Sequence, residues 1–170
     1  SDVIITMLPN SPHVKEVVLG NNGVIEGARP GQYLVDMSSI APLAAQEVAE
    51  KLAEKGVAVL DAPVSGGVEK AKAGTLACMV GGTEEAFAEV KDILGAMCAS
   101  VTLVGPVGAG QTTKLVNQMI VAVNIAAVAE AMTLGKKAGV DPERIFQAIR
   151  GGLAASQCLE DKAPRMFTGN

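Results

Sequence analysis

The feature that most constrains the fold is an alternation of short apolar runs with helix-forming segments. Apolar runs cover residues 3–8, 33–37 and 57–62, and helix-forming segments lie between them. The clearest of these segments, residues 43–55, has apolar side chains at helical spacing and ends before Gly56. Because parallel strands need crossover connections, this order predicts parallel strands whose two sheet faces are covered by helices.

The alternation continues for one more unit. Residues 76–80 and 101–104 predict two further strands, and residues 84–97 predict the helix between them. Thr83 stands immediately before that helix, where a threonine side chain can cap the first free amides. The first part of the chain is therefore predicted to be an α/β domain.

The second part of the chain has a different sequence pattern, with few helix-breaking residues. Residues 111–138 contain a single glycine and no proline, which predicts a helix of about 28 residues and about 40 Å. Residues 141–150 predict another helix, and a last helical stretch is predicted from Ala154. We place the boundary in the glycine-rich loop 105–110. The prediction is an α/β domain over residues 1–107 and an all-helical domain, opened by the long helix, over residues 108–170.

Composition argues against two classes of partner. The 14 basic and 18 acidic residues give a net charge of −4 and are intermixed along the chain, so no basic face for nucleic acid is expected. The longest apolar run, residues 119–129, is interrupted by Asn124 and is shorter than the ~20 residues that cross a bilayer. Neither nucleic acid nor a membrane is predicted as a partner.

The cysteine and histidine content favours a reducing compartment. Cys78, Cys98 and Cys158 are odd in number and widely spaced, which indicates free thiols and a cytoplasmic protein. With His13 as the one histidine, a zinc site is not expected, and His13 itself stands beside charged residues of a surface helix. The start of the chain lacks the features of a signal peptide, and we expect the chain to be a fragment that begins inside a domain.

Three loops follow the predicted strands at the edge where parallel sheets bind ligands. LPNSP at residues 8–12 leads into a helix N-terminus, and DMSSI at residues 36–40 places two hydroxyls at a strand end, but helix capping explains both equally well or better. DAPVSGG at residues 61–67 is by default a plain turn, but its hydroxyl followed by two glycines also suits a carboxylate ligand. Asp61 is interpreted as a residue that caps or orients its loop.

The long helix carries one polar stripe on an otherwise apolar surface. Lys114, Asn117, Gln118 and Asn124 recur at three-, four- and seven-residue steps, which would place them together on one buried face. Burial would lower the pKa of Lys114 toward the range in which it can exchange a proton. The alternative is that Lys114 extends to solvent near the start of the helix.

Other catalytic patterns do not occur in the sequence. A Tyr-x-x-x-Lys pair would need a lysine at position 37, where Met37 stands. The G-x-S-x-G, H-E-x-x-H and P-loop motifs are missing, as is the G-x-G-x-x-G dinucleotide fingerprint. Lys114 is therefore the leading candidate for a catalytic residue.

Four ordered motifs resemble those of the β-hydroxyacid dehydrogenase family. They are MLP at residues 7–9, DMSS at 36–39, DAPVSGG at 61–67 and GAGQTTKLVNQ at 108–118, and together they span most of the chain. The resemblance implies a partial Rossmann domain followed by a helical domain, with NAD or NADP as cofactor. It also implies that the glycine-rich turn, and the residue that distinguishes NAD from NADP, lie upstream.

The resemblance also implies roles for residues of this chain. Lys114 would act as general acid toward a carbonyl oxygen, and as base in the reverse direction. Asn117 and Gln118 would contact the substrate. The substrate carboxylate would be held by three consecutive residues, Ser65, Gly66 and Gly67. The cofactor would be bordered by five residues of the first two loops, Met7, Leu8, Pro9, Pro12 and Ser39.

The implied substrate is a small carboxylate-bearing aldehyde or hydroxy acid, and the implied assembly is a homo-oligomer. RGGLA at residues 150–154 and KAP at 162–164 are most similar to family members that reduce tartronate semialdehyde to glycerate. Another small 3-hydroxy acid, such as 3-hydroxyisobutyrate, is the alternative substrate. A non-catalytic helical assembly module is the alternative of a different class, although a purely structural helix has no need for a buried polar stripe.

Overall fold

The computed structural model describes residues 1–168, and of Thr168 only the backbone. The chain forms two compact units, Ser1–Leu115 and Val116–Asn170. The strands are β1 (Val3–Thr6), β2 (Tyr33–Asp36), β3 (Ala58–Asp61), β4 (Val64–Ser65), β5 (Leu76–Gly81) and β6 (Cys98–Gly105). The helices are α1 (Ser11–Leu19), α2 (Val24–Gly27), α3 (Pro42–Ala53), α4 (Gly67–Lys72), α5 (Glu84–Gly95), α6 (Ala109–Lys137), α7 (Pro142–Ile149) and α8 (Gln157–Thr168).

The sheet of the first unit is mixed rather than wholly parallel. β1, β2 and β3 pair in parallel as predicted, and β5 pairs with β6 in parallel. β5 runs antiparallel to β3 and to the two-residue strand β4. Between β3 and β5 the chain has only β4 and the short helix α4, and antiparallel neighbours need no long crossover. The sequence pattern missed β4, α4 and α2 because each is too short to show a period.

Both faces of the sheet are buried, which explains the continuous apolar runs. Along β2, Leu34 packs into a cluster with residues of α1 and α3, whereas Val35 packs into a second cluster with residues of α5. Val59 and Leu60 of β3 divide between the two clusters in the same way. Successive side chains of a strand point to opposite faces, so a strand covered on both sides is apolar at every position.

The second unit is helical, as predicted. α6 has 29 residues and ends before Gly139, which has φ +80°. Asp141 caps α7 by accepting a hydrogen bond from Glu143 N at 3.0 Å. α8 begins at Gln157, later than the sequence indicated. A small core joins α6, α7 and α8 through Val128, Met132, Phe146, Leu159 and Ala163.

The length and composition of α6 overturn one step of the sequence argument. Within the described residues, α6 is a helix long enough and apolar enough to cross a membrane. The exclusion of a membrane span rested on the short apolar run 119–129, and that step was wrong, because asparagine and threonine interrupt the run without making the helix strongly polar. Length and composition alone are weak evidence for a membrane span, since long helices of soluble proteins meet the same two criteria.

We predict that truncating a core residue of α5 destabilises the first unit far more than truncating its neighbour. Leu94 is 0% exposed and Ile93 is 41% exposed. Leu94→Ala should lower the free energy of unfolding by about 2–5 kcal/mol, because it leaves a cavity. Ile93→Ala should cost below about 1 kcal/mol. Urea unfolding of both variants measures the difference, and equal losses would contradict the assignment of Leu94 to the core.

Candidate active site

A row of polar side chains crosses the sheet at the carboxyl ends of its parallel strands. Thr6, Asp36 and Asp61 are aligned on β1, β2 and β3, and all three are buried. Thr6 Oγ1 donates to Asp36 Oδ1 at 2.8 Å, and Ser38 N donates to the same oxygen at 3.1 Å. Asp36 Oδ2 is buried without a hydrogen-bond partner among the described residues. The loops that continue from this row hold most of the predicted site residues.

The loops after β1 and β2 are tied to each other. Leu8 N donates to Ser38 Oγ at 2.8 Å, and Ala41 N donates to Ser11 Oγ at 3.1 Å. These bonds keep the predicted cofactor residues of the two loops close to each other at the carboxyl edge of the sheet. Leu8 is half-buried, and the other four are exposed: Met7, Pro9, Pro12 and Ser39.

The N-terminus of α1 faces this edge without a side-chain cap. Asn10 occupies the N-cap position, but its side chain makes no capping bond. Its Oδ1 contacts His13 Nδ1 instead, so the exposed His13 takes part in a local surface contact. The first amides of α1 that lack a helical acceptor are therefore open to another acceptor.

The Ser-Gly-Gly segment forms a sharp turn between β4 and α4. Ser65 ends β4 and is half-buried, and the two glycines after it are exposed. Gly66 has φ +140° and Gly67 has φ +69°, which are conformations that favour glycine. A Cβ at Gly66 would also lie 2.8 Å from side-chain atoms of Lys70. Both glycines are therefore required by the backbone of the turn, and they leave its main chain accessible.

Lys114 lies against this turn. Its Nζ donates to Val64 O at 2.8 Å, one residue before Ser65. The side chain is half-buried, and this desolvation lowers the pKa of Lys114. Within residues 1–168, Lys114 forms no salt bridge to a carboxylate. The structure thus places Lys114 beside the strand segment that contains Ser65, and Lys114 does not extend freely into solvent.

The other stripe residues do not form one buried face. Asn117 and Asn124 are half-buried and Gln118 is exposed. Asn117 Nδ2 donates to Gln118 Oε1 at 3.0 Å within the second unit. The expectation of a uniformly buried stripe was wrong, because this part of α6 also leaves apolar side chains such as Met119 and Val123 exposed.

Gln111 is a site residue that the sequence did not reveal. It is 1% exposed. Its Nε2 donates to Ser38 O at 2.7 Å, and its Oε1 accepts from Ile40 N at 3.1 Å. The start of α6 is thereby joined to the loop after β2. A lone glutamine in a glycine-rich segment carries no sequence signal for such a long-range contact.

Asp61 also joins the start of α6 to the sheet. Its carboxylate accepts from Gly108 N and Gln111 N, both at 2.7 Å. Burial raises the pKa of Asp61, the two backbone bonds oppose that shift, and Asp36 adds to it. The sequence signal was the strand-end position that Asp61 shares with Asp36.

The thiols and the acidic groups form no metal centre in the described part of the chain. Cys78, Cys98 and Cys158 are free, and the first two are buried. Burial raises the pKa of Cys78 to about 12, so this thiol is a packing group rather than a nucleophile. Among residues 1–168, no cluster of three or more His, Cys, Asp or Glu side chains could hold a metal ion.

Known families match both parts of the chain. Residues 1–105 match the family described as the NAD binding domain of 6-phosphogluconate dehydrogenase. Residues 108–170 match the family described as NAD-binding of NADP-dependent 3-hydroxyisobutyrate dehydrogenase. The two matches meet in the loop that precedes α6.

Individual relatives agree with these families. The chain is 48% identical to 2-hydroxy-3-oxopropionate reductase of Escherichia coli (strain K12), over 98% of this chain and 57% of the relative. It is similar to the solved structure of Mycobacterium tuberculosis 3-hydroxyisobutyrate dehydrogenase with L-serine, at 37% identity and a TM-score of 0.87, over 96% of this chain and 55% of that one. It is also similar to Psf3 in complex with NADP+ and 2-OPP, at 27% identity and a TM-score of 0.92, over 100% of this chain and 60% of that one. The chain therefore spans less than two thirds of the length of these relatives.

We predict that removing the Gln111 side chain loosens the loop after β2. Gln111→Ala leaves the main-chain groups of Ser38 and Ile40 without their partner, which should lower the free energy of unfolding by about 1–3 kcal/mol. Gln46→Ala is the matched control, because the exposed Gln46 makes only a 3.3 Å bond to Val107 O; its cost should stay within about 0.5 kcal/mol. Urea unfolding compares the two, and an unperturbed Gln111→Ala variant would contradict the prediction.

Proposed function

Since the chain belongs to the β-hydroxyacid dehydrogenase family, we propose that it is part of an enzyme that reduces tartronate semialdehyde (2-hydroxy-3-oxopropanoate) to glycerate with NADH or NADPH. The observation that carries the proposal is the 2.8 Å hydrogen bond from Lys114 Nζ to Val64 O. It sets a half-buried proton donor beside a turn whose hydroxyl and main chain suit a carboxylate. The similarity to the Escherichia coli reductase supports this choice of substrate.

The residues at the carboxyl edge of the sheet fit part of a dinucleotide. Exposed apolar side chains suit the face of a flat ring, and the uncapped amides of α1 suit an anionic group. In this proposal, the five residues that hold the cofactor are Met7, Leu8, Pro9, Pro12 and Ser39. When bound, the reduced nicotinamide supplies a hydride to the carbonyl carbon of the substrate.

The Ser-Gly-Gly turn would bind the carboxylate of the substrate. The hydroxyl of Ser65 and the main-chain amides of Gly66 and Gly67 are hydrogen-bond donors without a formal charge. Such donors orient an anion without adding an ion pair beside Lys114. A bound carboxylate at this turn would leave the other end of a three-carbon acid close to the lysine.

Lys114 would move the proton that the reduction requires. In the proposed direction, its ammonium group donates a proton to the carbonyl oxygen, so that hydride and proton together convert the aldehyde to an alcohol. In the reverse direction, its neutral amine accepts the hydroxyl proton. Asn117 and Gln118, which follow Lys114 by three and four residues on α6, are proposed as further substrate contacts on the strength of the family motif.

Three broader features belong to the same proposal. The domain boundary is proposed between residues 1–107 and residues 108–170, at the loop where the two family matches meet, with residues 108–115 and Lys114 packed into the first compact unit. The assembly is proposed to be a homo-oligomer, as the family resemblance implies. The location is proposed to be cytoplasmic, which agrees with three free thiols in the described residues.

We predict that Lys114→Ala abolishes most of the activity of the complete gene product. NADH and NADPH oxidation should be followed with tartronate semialdehyde, and kcat should fall about 10²- to 10⁴-fold because a positioned general acid is lost. The control is Lys137→Ala, which removes an exposed lysine at the other end of the same helix. Unchanged turnover of the Lys114→Ala variant would contradict the proton-transfer role of Lys114.

The lowered pKa of Lys114 predicts opposite pH dependences for the two directions. Reduction needs the protonated amine, so kcat/KM for reduction should fall as pH rises through the pKa of Lys114. Oxidation needs the neutral amine, so kcat/KM for oxidation should rise as the lysine loses its proton. Because burial lowers this pKa, both midpoints should lie below the ordinary lysine value. Rate measurements from about pH 6 to pH 10 test this, and a reduction rate that does not fall, or an oxidation rate that does not rise, across this range would contradict the assignment.

The second candidate is a dehydrogenase of the same family that acts on 3-hydroxyisobutyrate. The match of residues 108–170 to the 3-hydroxyisobutyrate dehydrogenase family favours it. We predict that kcat/KM of the complete gene product is highest for tartronate semialdehyde in a panel that includes the semialdehyde of 3-hydroxyisobutyrate. A higher kcat/KM for the latter would replace the substrate but leave the roles of Lys114 and Ser65 in place.

A further inference from the structure

Asp61 is a completely buried carboxylate that the proposed reaction does not use. It lies at the end of β3 and is 0% exposed. Both of its oxygens accept hydrogen bonds from main-chain amides that lie 47 and 50 residues further along the chain, Gly108 N and Gln111 N. A carboxylate buried with this geometry binds one particular segment, which is the start of α6.

The amides that Asp61 holds are those a helix cannot satisfy by itself. α6 begins at Ala109, so Gln111 lies in its first turn and its N–H has no helical acceptor. A negative charge at a helix N-terminus is also favoured by the alignment of the peptide dipoles. Asp61 therefore caps α6 from a distant strand, in place of a local N-cap side chain.

The packing around the carboxylate allows little movement. A Cβ at Gly81, on the neighbouring strand β5, would collide with Asp61 Oδ1. A Cβ at Gly110 would lie 2.9 Å from Oδ2. The absence of side chains at these two positions lets the helix start and the strand approach the carboxylate directly.

The position of Lys114 depends on this cap in two ways. Lys114 follows Gln111 by one helical turn, so the position of its side chain follows from where α6 begins. The acceptor of its Nζ, Val64 O, follows Asp61 by three residues and belongs to the first residue of β4. Asp61 thus joins the start of α6, the helix that carries Lys114, to the end of β3, which leads to the acceptor Val64 O. The relative position of these two segments determines where the ammonium group lies.

We infer that Asp61 is the positioning residue for Lys114, holding the first turn of α6 so that the lysine faces the Ser-Gly-Gly turn. This inference rests on the proposed function for its effect on catalysis, but not for its effect on the lysine itself. Asp36 is the natural comparison. It is the in-register neighbour of Asp61 and equally buried, but its partners are Thr6 and Ser38 rather than α6.

The test compares Asp61→Asn with Asp36→Asn in the complete enzyme. Asparagine keeps the shape of the carboxylate but turns one acceptor into an NH₂ group that faces a main-chain N–H. Asp61→Asn should lower kcat about 10- to 100-fold, as expected for a shift of the reacting group by about 1 Å. The titration midpoint of Lys114, followed by NMR of its side chain, should rise toward that of an exposed lysine. Asp36→Asn should leave the titration midpoint of Lys114 unchanged, because Asp36 bonds to Thr6 and Ser38 rather than to α6. The titratable groups coupled to Asp61 itself are Asp36, whose charge adds to burial in raising the pKa of Asp61, and Cys78, whose pKa is raised by burial and also by Asp61.

Two outcomes would overturn the inference. One is an Asp61→Asn enzyme with wild-type kcat and a wild-type midpoint for Lys114. The other is an equal change of the Lys114 midpoint in Asp36→Asn, which would indicate a general loosening of the sheet edge. A Lys114→Ala enzyme with full turnover would refute the proposed function alone, since the NMR midpoint still decides whether Asp61 positions the lysine.

A measurement on the wild type covers the case in which Asp61→Asn does not fold. The amides of Gly108 and Gln111 should exchange with solvent slowly, because each donates to a buried carboxylate. Exchange of these two amides at the rate of an unstructured loop would contradict the cap and overturn the inference.

Discussion

The candidate site depends on one interaction, the contact of the buried Asp61 carboxylate with two main-chain amides at the start of α6. Removing a carboxylate from water is costly, and this structure offsets the cost with two 2.7 Å hydrogen bonds and a helix N-terminus. The pKa of Asp61 is still raised by burial, so the compensation is incomplete. The contact joins the end of β3 to the helix that carries Lys114, and the candidate site is built around that junction.

Around this junction the polar groups form a connected set. Thr6 is bonded to Asp36, Ser38 is bonded to both Asp36 and Leu8, and Gln111 is bonded to the main chain of the loop that contains Ser38. The loops after β1 and β2 and the start of α6 are therefore held by side chains rather than by sheet pairing. This gives exposed loop residues defined positions, which the proposed binding site for a dinucleotide and a small acid requires.

The polar contacts of α6 and its exposed apolar side chains lie in different parts of the helix. The first turns are defined by Asp61, Gln111 and the bond of Lys114 to Val64 O. Further along, Met119, Ile120 and Val123 are exposed. The proposed role for this chain rests on the first of these regions, where partners and distances are defined, and on a family match that covers residues 1–105 and 108–170.

The sequence by itself determined the strand and helix alternation, the long helix and the family, because these depend on local periodicity and on contiguous motifs. It indicated Ser65, Gly66 and Gly67 for the same reason, and it also predicted Lys114 as the catalytic residue. Only the tertiary structure decided that the sheet is mixed, that Gln118 is exposed, and that Gln111 and Asp61 bind segments 47 to 73 residues away. Such contacts depend on where distant backbone segments meet in space, and a hydrogen bond between a side chain and main chain leaves no pattern in the residues that supply the main-chain group.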